Sequence, residues 1–220
     1  MAKVVYSANI QDIRGKLGNT VHSRARNGST LRTRVSPKQP KTAGQTAVRS
    51  ALSKSSVLYK NMTAPQLAAW ATYAQTLAKH DPLSGKTYAP APGTVFGGLT
   101  DKFLQMTPAA AVPMTTPTAG FAGDSIGVSA VGVSGKVTFT ASAANTVGVK
   151  TELLLQPLKS RARTPTAKAY RTKTFFAFVA GTLVQDVIVP AGFYAPAYRF
   201  VNAATGQMVG MITLSVVQVL

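Results

Sequence analysis

From residue 125 to the end, short runs of alternating apolar and polar residues recur at close intervals, each stopped by glycine, asparagine or proline. Seven such runs read as strands, at 126–134, 136–142, 147–156, 170–179, 183–189, 194–202 and 209–219. A period of two sends successive side chains to opposite faces. Short runs with frequent turns suit antiparallel pairing, with one face of each sheet buried. The expectation for 124–220 is therefore an antiparallel β-sandwich of about seven strands, immunoglobulin-like or jelly-roll-like. Alternation alone does not choose between those topologies.

Upstream the period changes. Thr42-Ala43-Gly44-Gln45 has the spacing of a capping box, and Val48, Leu52, Ser55 and Tyr59 follow at helical intervals, predicting a helix over 43–59. Thr63-Ala64-Pro65-Gln66 repeats the start signal, and Leu67, Trp70, Ala74 and Leu77 form the stripe of a second helix. The two make a helical hairpin, with Trp70 read as core rather than as an exposed recognition aromatic. A third helix is expected at 95–106, where Phe96, Leu99 and Phe103 share a face despite Gly97 and Gly98. Residues 107–123, TPAAAVPMTTPTAGFAG, carry no charge and no sustained period, and read as an extended linker. The fold class is thus α+β, in four segments: a basic arm at 1–41, helices at 42–106, a linker at 107–123 and the β domain at 124–220.

Charge is what marks the arm. The 220-residue chain carries 24 Lys/Arg against 6 Asp/Glu, a net charge of +18. Of this, +11 falls in residues 1–60, +1 in 61–120 and +6 in 121–220. With 45% hydrophobic and 14% charged residues the chain folds rather than behaving as a polyelectrolyte, so the excess charge implies an anionic partner. Within the arm, SRARNGSTLRTR at 23–34 reads as a hairpin turning at Asn27-Gly28. Alternation groups His22, Arg24, Arg26, Arg32 and Arg34 opposite Val21, Ser23, Ala25, Leu31, Thr33 and Val35. The basic sets of both strands share a face only if paired residue numbers have an even sum, which predicts a three-residue loop with a bulge at Gly28. Arg14 and Lys16, in the glycine-punctuated stretch IRGKLGNT, add to the candidate docking residues. So do Arg161 and Arg163, in a second basic run at 159–173 that is more simply a solvated loop.

Enzyme chemistry finds little to work with, and the chain is read as a non-enzyme without metal or cofactor. There is no cysteine, and the two histidines are His22 and His80. His80 beside Asp81 sits in HDPLSG, which reads as a solvated turn after a helix rather than a dyad. The string GKLGNT at 15–20 lacks the GxxxxGK[ST] spacing of a phosphate loop, and neither GxSxG nor HExxH occurs. No apolar run is long enough to span a bilayer, and the first residues lack the apolar core of a secretion signal, so a product retained in the cell is expected, with no membrane partner. Nucleic acid is a weaker fit than protein, because no aromatic residue interleaves with the arginines of the strip to stack on bases.

The run DIRGKLGNTVHSRARNGSTLRTRVSPKQPKTAGQTAVRS, followed by MTAPQLAAWATYA, resembles a group of largely uncharacterised phage and prophage proteins. Their openings read roughly IRGKxGxxVxSRxRxGxxxRxRxxPxxPxTxxQxxxR. The resemblance covers residues 7–75, with Met62 where leucine is expected and Leu67 where many relatives carry arginine. It implies a structural component of a tailed-phage particle, assembled in the host cytoplasm and located in the virion. A capsid decoration, cement or minor capsid protein is the first expectation, anchored by its basic segment on acidic capsid or neck proteins and present as a homo-oligomer. A neck, tail or fibre-base component is the alternative within that class. A packaged DNA-binding protein is the alternative outside it.

Overall fold

In the computed structural model, residues 2–3, 13–25, 28–36, 41–80 and 87–220 are described. Contacts divide the chain into two units, Met1–Ala43 and Gly44–Leu220.

The first unit is a four-stranded antiparallel sheet of β1 (Ala2–Lys3), β2 (Gly15–Leu17), β3 (Thr20–Ala25) and β4 (Gly28–Thr33), in the order β1-β4-β3-β2. The stretch IRGKLGNT is more than a turn. Leu17 pairs with Thr20 across Gly18-Asn19, and Gly18 at φ 56° meets the need for a left-handed residue that tight two-residue hairpins impose. Between β3 and β4 the register differs from the expected one. Val21 faces Arg32, His22 faces Leu31, Ser23 faces Thr30 and Arg24 faces Ser29, so every pair has an odd sum. Ala25 opposite Gly28 leaves a two-residue connection, Arg26-Asn27, which lies outside the described residues. The hydroxyls of Ser23 and Thr30, 2.9 Å apart, match across this register, and Thr30 also donates to the Ser23 carbonyl at 3.1 Å. The single cationic face is thereby lost. A slip of one residue sends one strand's basic set to the other side of the sheet.

The second unit begins with α1 (Ala43–Lys60) and α2 (Ala64–Thr76), followed by the short ribbon of β5 (Lys79–His80) and β6 (Thr87–Tyr88) and then by α3 (Pro92–Met106). At the start of α2, the Thr63 backbone N–H and hydroxyl both donate to Gln66 Oε1, at 2.9 and 3.0 Å. Trp70, Phe96 and Met62 form the helical core, joined by Leu58, Tyr59, Leu67 and Tyr73. Trp70 and Phe96 meet edge to face at 5.1 Å. Gly93 lets α3 lie close to α1, since a Cβ there would come 3.2 Å from the Tyr59 ring, whereas one on Gly97 would make ordinary contact with Ser55 Oγ at 3.7 Å. The stripe expected on α1 is only partly used. Ser55 is buried, whereas Val48 and Leu52 are about half exposed.

The segment at 107–123 forms no regular element, yet it is no free spacer. Val112 and Met114 pack against the helical core, and the Met114 carbonyl accepts from Trp70 Nε1 at 3.0 Å.

The β region holds two antiparallel sheets. One is β11-β8-β7, from β7 (Val128–Val133), β8 (Lys136–Ala141) and β11 (Val184–Ile188). The other joins β9 (Val149–Leu158), β10 (Arg171–Phe176), β12 (Gly192–Asn202), β13 (Ile212–Thr213) and β14 (Val217–Val219) in the order β10-β9-β12-β13, with β14 also on β12. Val137, Phe139 and Val187 of the first sheet share one core with Leu153, Leu155, Tyr198 and Phe200 of the second. The last expected strand is broken in two. Pro196 of β12 has no N–H to give to a neighbour, so the ladder passes from Thr213 opposite Ala197 to Val217 opposite Tyr194 with only the Leu214 N–H reaching the Pro196 carbonyl between them.

Candidate functional site

The arm's candidate residues do not converge on one face. Lys16, Val21 and Arg32 stand in one cross-strand row, and the adjacent row of Ser23 and Thr30 shares their side of the sheet. His22, Arg24, Leu31 and Thr33 lie on the other side. Arg14 precedes β2 and Arg34 follows β4, its N–H bonded to the Asn19 carbonyl at 2.7 Å. Arg14, Lys16, Arg24, Arg32 and Arg34 are exposed and His22 is half-buried; Arg26 lies outside the described residues. No described side chain from Ile13 to Val35 is buried. Among the described residues both faces of the sheet carry only half-buried or exposed side chains.

In the second unit, Arg161 and Arg163 lie on the exposed loop between β9 and β10, with Lys159, Lys168, Arg171 and Lys173 also exposed. This loop is held in place. The Thr166 N–H donates to Gln156 Oε1 at 3.0 Å, and Tyr170 is buried against Leu154, Ala195 and Ala197 on the sheet's outer face. Arg171 Nη1 donates to the Lys168 and Tyr170 carbonyls, both at 3.0 Å, so one guanidinium is spent on shaping the loop. The Tyr170 hydroxyl finds no partner, and burial raises its pKa.

The chain's one glutamate carries the densest polar network. Glu152 on β9 is fully buried, paired across the ladder with Arg199 of β12. Arg199 Nε donates to Oε2 at 2.6 Å and Nη2 to Oε1 at 3.2 Å. Lys102 Nζ reaches down from α3 to both oxygens, at 3.0 and 3.2 Å, and the Thr172 hydroxyl also donates to Oε1. Lys102 further bonds Gln105 Oε1 at 2.9 Å and lies 5.3 Å from the centre of the Phe175 ring. Burial acts to raise the Glu152 carboxyl, but the hydrogen bonds from Arg199 and Thr172 and the two nearby cations outweigh it and hold it below its ordinary value. Burial pushes Lys102 the other way, down, more than Glu152 restores. The pair is a carboxylate well served by its neighbours and an ammonium that gives up hydration to reach it.

This network missed by sequence reasoning had one signal: a solitary glutamate inside the otherwise apolar run VKTELLLQPL. It fastens α3 to the sheet. A second tie runs through the turn after β12. Gln207 Nε2 bonds the Tyr73 hydroxyl and the Ala119 carbonyl, both at 3.1 Å. Asp124 has a comparable local role, accepting from the backbone N–H groups of Ser125 and Thr146 at 2.9 and 2.8 Å.

The His80–Asp81 pairing cannot be placed, because Asp81 lies outside the described residues; His80 pairs with Thr87 in the β5–β6 ribbon. Among the described residues no cluster of three His, Cys, Asp or Glu side chains is arranged to hold a metal. No described helix is long and apolar enough to cross a membrane. A groove of about 900 Å³ beside α2 and residues 116–121 is lined by uncharged side chains such as Tyr73, Leu77, Phe121 and Met208. Compared with protein-family models, with curated proteins and with solved structures, the chain finds no match.

Proposed function

We propose that this chain is a non-enzymatic structural protein of a tailed-phage particle that attaches to acidic protein surfaces through its basic N-terminal sheet, with capsid decoration or cementing as its first role. The observation that carries the reading is a strongly basic sheet with no buried side chain among its described residues. A sheet of that kind gains little from its own packing, and contact with a partner supplies further burial. Arginine suits the task, since its fork binds carboxylates with two parallel hydrogen bonds. The resemblance of residues 7–75 to phage and prophage proteins supports the particle as the setting.

The odd register sharpens how such a sheet docks. With Lys16 and Arg32 on one side and Arg24 on the other, a flat surface meets only part of the charge. A cleft or a junction between acidic subunits meets both sides. The paired sheets of the second unit, read as a β-sandwich of immunoglobulin or jelly-roll type, form the body that such an anchor holds on the particle, with Arg161 and Arg163 offering it a further anionic contact. A neck, tail or fibre-base position uses the same physics, and copy number per particle separates it from capsid decoration.

The test is attachment to particles lacking the protein. Replacing Arg24, Arg26, Arg32 and Arg34 by glutamine abolishes binding, while circular dichroism of the second unit's β-structure is unchanged. Full occupancy by that variant overturns the anchoring role. Replacing Lys16 and Arg32 alone, or Arg24 alone, tells whether both sides are engaged. A mobility shift with DNA at physiological salt tests the competing class: tight binding with a steep salt slope points to a packaged DNA-binding protein instead.

A further inference from the structure

The outer face of the β11-β8-β7 sheet is built unlike the rest of this basic chain. Its outward side chains form three cross-strand rows: Ser129, Thr140 and Val184; Val131, Thr138 and Asp186; Val133, Lys136 and Ile188. Six of the nine are β-branched. Ile188 is 86% exposed, Val131 60%, Val184 50% and Val133 42%. The face has one base and one acid, and they cancel: Lys136 Nζ lies 2.5 Å from Asp186 Oδ2, and Thr138 donates to Asp186 Oδ1 at 2.6 Å. Hydrogen bonds from Lys136 and Thr138 hold the Asp186 carboxyl low, so the face stays neutral over the physiological range. Stiff β-branched side chains lose little rotamer freedom on being covered.

The charge of the whole chain says what can cover it. Two copies each carrying +18 repel wherever their basic surfaces approach. An anionic partner is drawn to those same basic surfaces and gains nothing from a neutral one. A second copy of this chain is the occupant that the neutral face suits, since the Coulomb cost of bringing like to like is small there. Size sets the strength. Three strands about 4.8 Å apart and five residues long make a footprint of a few hundred Å², short of the roughly 800 Å² per partner of stable interfaces. Such a contact is weak between free molecules and effective between molecules already held side by side, where local concentration is high.

We infer that the β11-β8-β7 face is a self-association surface through which copies of this chain contact one another, face to face. Its use on a particle rests on the docking reading above; its existence does not. Sedimentation equilibrium of the full chain, free of any particle, measures it directly. The expected result is a monomer–dimer equilibrium with a Kd on the order of 0.1–1 mM. Raising NaCl from 0.15 to 0.5 M strengthens it, because salt screens the net repulsion while leaving apolar contact intact. Ile188→Lys places a charge in the contact and weakens association at least about tenfold. Val131→Lys, on a different strand, does the same, and circular dichroism establishes that both variants fold. A chain that stays monomeric at millimolar concentration in high salt overturns the proposal. So does association that weakens with salt, or that both lysine variants leave unchanged. If association behaves as expected but the arginine variants still occupy particles fully, the docking reading fails and this one stands.

Discussion

Replacing Glu152 by glutamine removes one charge from the centre of the second unit at almost constant volume. Its consequence follows from what stays behind. Lys102 is only 6% exposed and the Arg199 side chain 23% exposed, and both have come out of water to reach this carboxylate. A unit charge 3 Å away contributes about 5 kcal/mol at an effective dielectric of about 20. Most of that offsets desolvation, which is why the intact cluster adds little net stability while breaking it is costly. Stranding buried cations in this way costs about 3–5 kcal/mol. For a unit of this length each kcal/mol moves Tm by about 2–4 °C, so Glu152→Gln lowers Tm by about 6–20 °C. Calorimetry reads that shift directly, and urea unfolding gives the same loss as a lower midpoint at unchanged slope. Lys102→Met alone leaves Glu152 with Arg199 and Thr172 and costs about 1–2 kcal/mol. Added to Glu152→Gln, it restores part of the loss, because the most deeply buried unpaired cation is gone; the coupling is about 1–3 kcal/mol. A Glu152→Gln loss below about 1 kcal/mol, or strictly additive single and double variants, refutes the claim that this network fastens α3 to the sheet.

Two further perturbations probe the same unit. Gly206 has φ 74°, and a Cβ there would lie 2.2 Å from the Leu99 carbonyl oxygen on α3; Gly206→Ala therefore costs roughly 2–4 kcal/mol from left-handed strain and backbone displacement together, read as a lowered urea midpoint, and an unchanged midpoint contradicts that close approach. On the acid side, Glu152 and Asp124 are both held below their ordinary values of 4.5 and 3.8, so the unfolded chain binds more protons than the folded one. Their contribution is complete above about pH 4.5 and is lost as pH falls through the folded-state pKa values, so Tm falls with acid and Glu152→Gln flattens that fall. Asp101 runs the opposite way, because burial raises its pKa and Oδ1 has no partner; Asp101→Asn raises Tm above about pH 4, measured by the same scans.

The fold was legible where local chemistry decides it. The capping signal at Thr63 starts α2 where the sequence places it, and the alternation in Lys136–Ala141 and Val184–Ile188 yields strands at the expected positions. What escaped depends on contacts between distant residues. Nothing local to Val48 and Leu52 says that α3 comes closest to α1 at Ser55 and Tyr59, the later part of the same stripe, leaving those two half exposed. Uncharged Ala, Thr and Pro at 107–123 have a linker's composition, but Met114 lends its carbonyl to Trp70 and so ties the segment to the helices. The break in the last strand was written in Pro196, on the strand beside it rather than in residues 209–219 themselves.

The arm shows the sharper limit, because there the types of residue were readable and their arrangement was not. Whether Arg24 and Arg32 share a face turns on one residue of loop length, and Asn-Gly chemistry serves loops of more than one length. The arbiter is a cross-strand pair: Ser23 and Thr30 match hydroxyl to hydroxyl only in the odd register. In a sheet with one buried face, slippage would move apolar residues into water and the core would forbid it. This sheet has no buried face among its described residues, so hydroxyl pairs and hairpin turns set its register in place of a core. A partner that buries one side of it would weigh in on the same choice. On the docking role proposed above, the register in the docked state is a property of arm and partner together, and Ser23→Val, which removes the hydroxyl pairing while favouring burial, is the substitution that tilts it toward the even-numbered arrangement with its single cationic face.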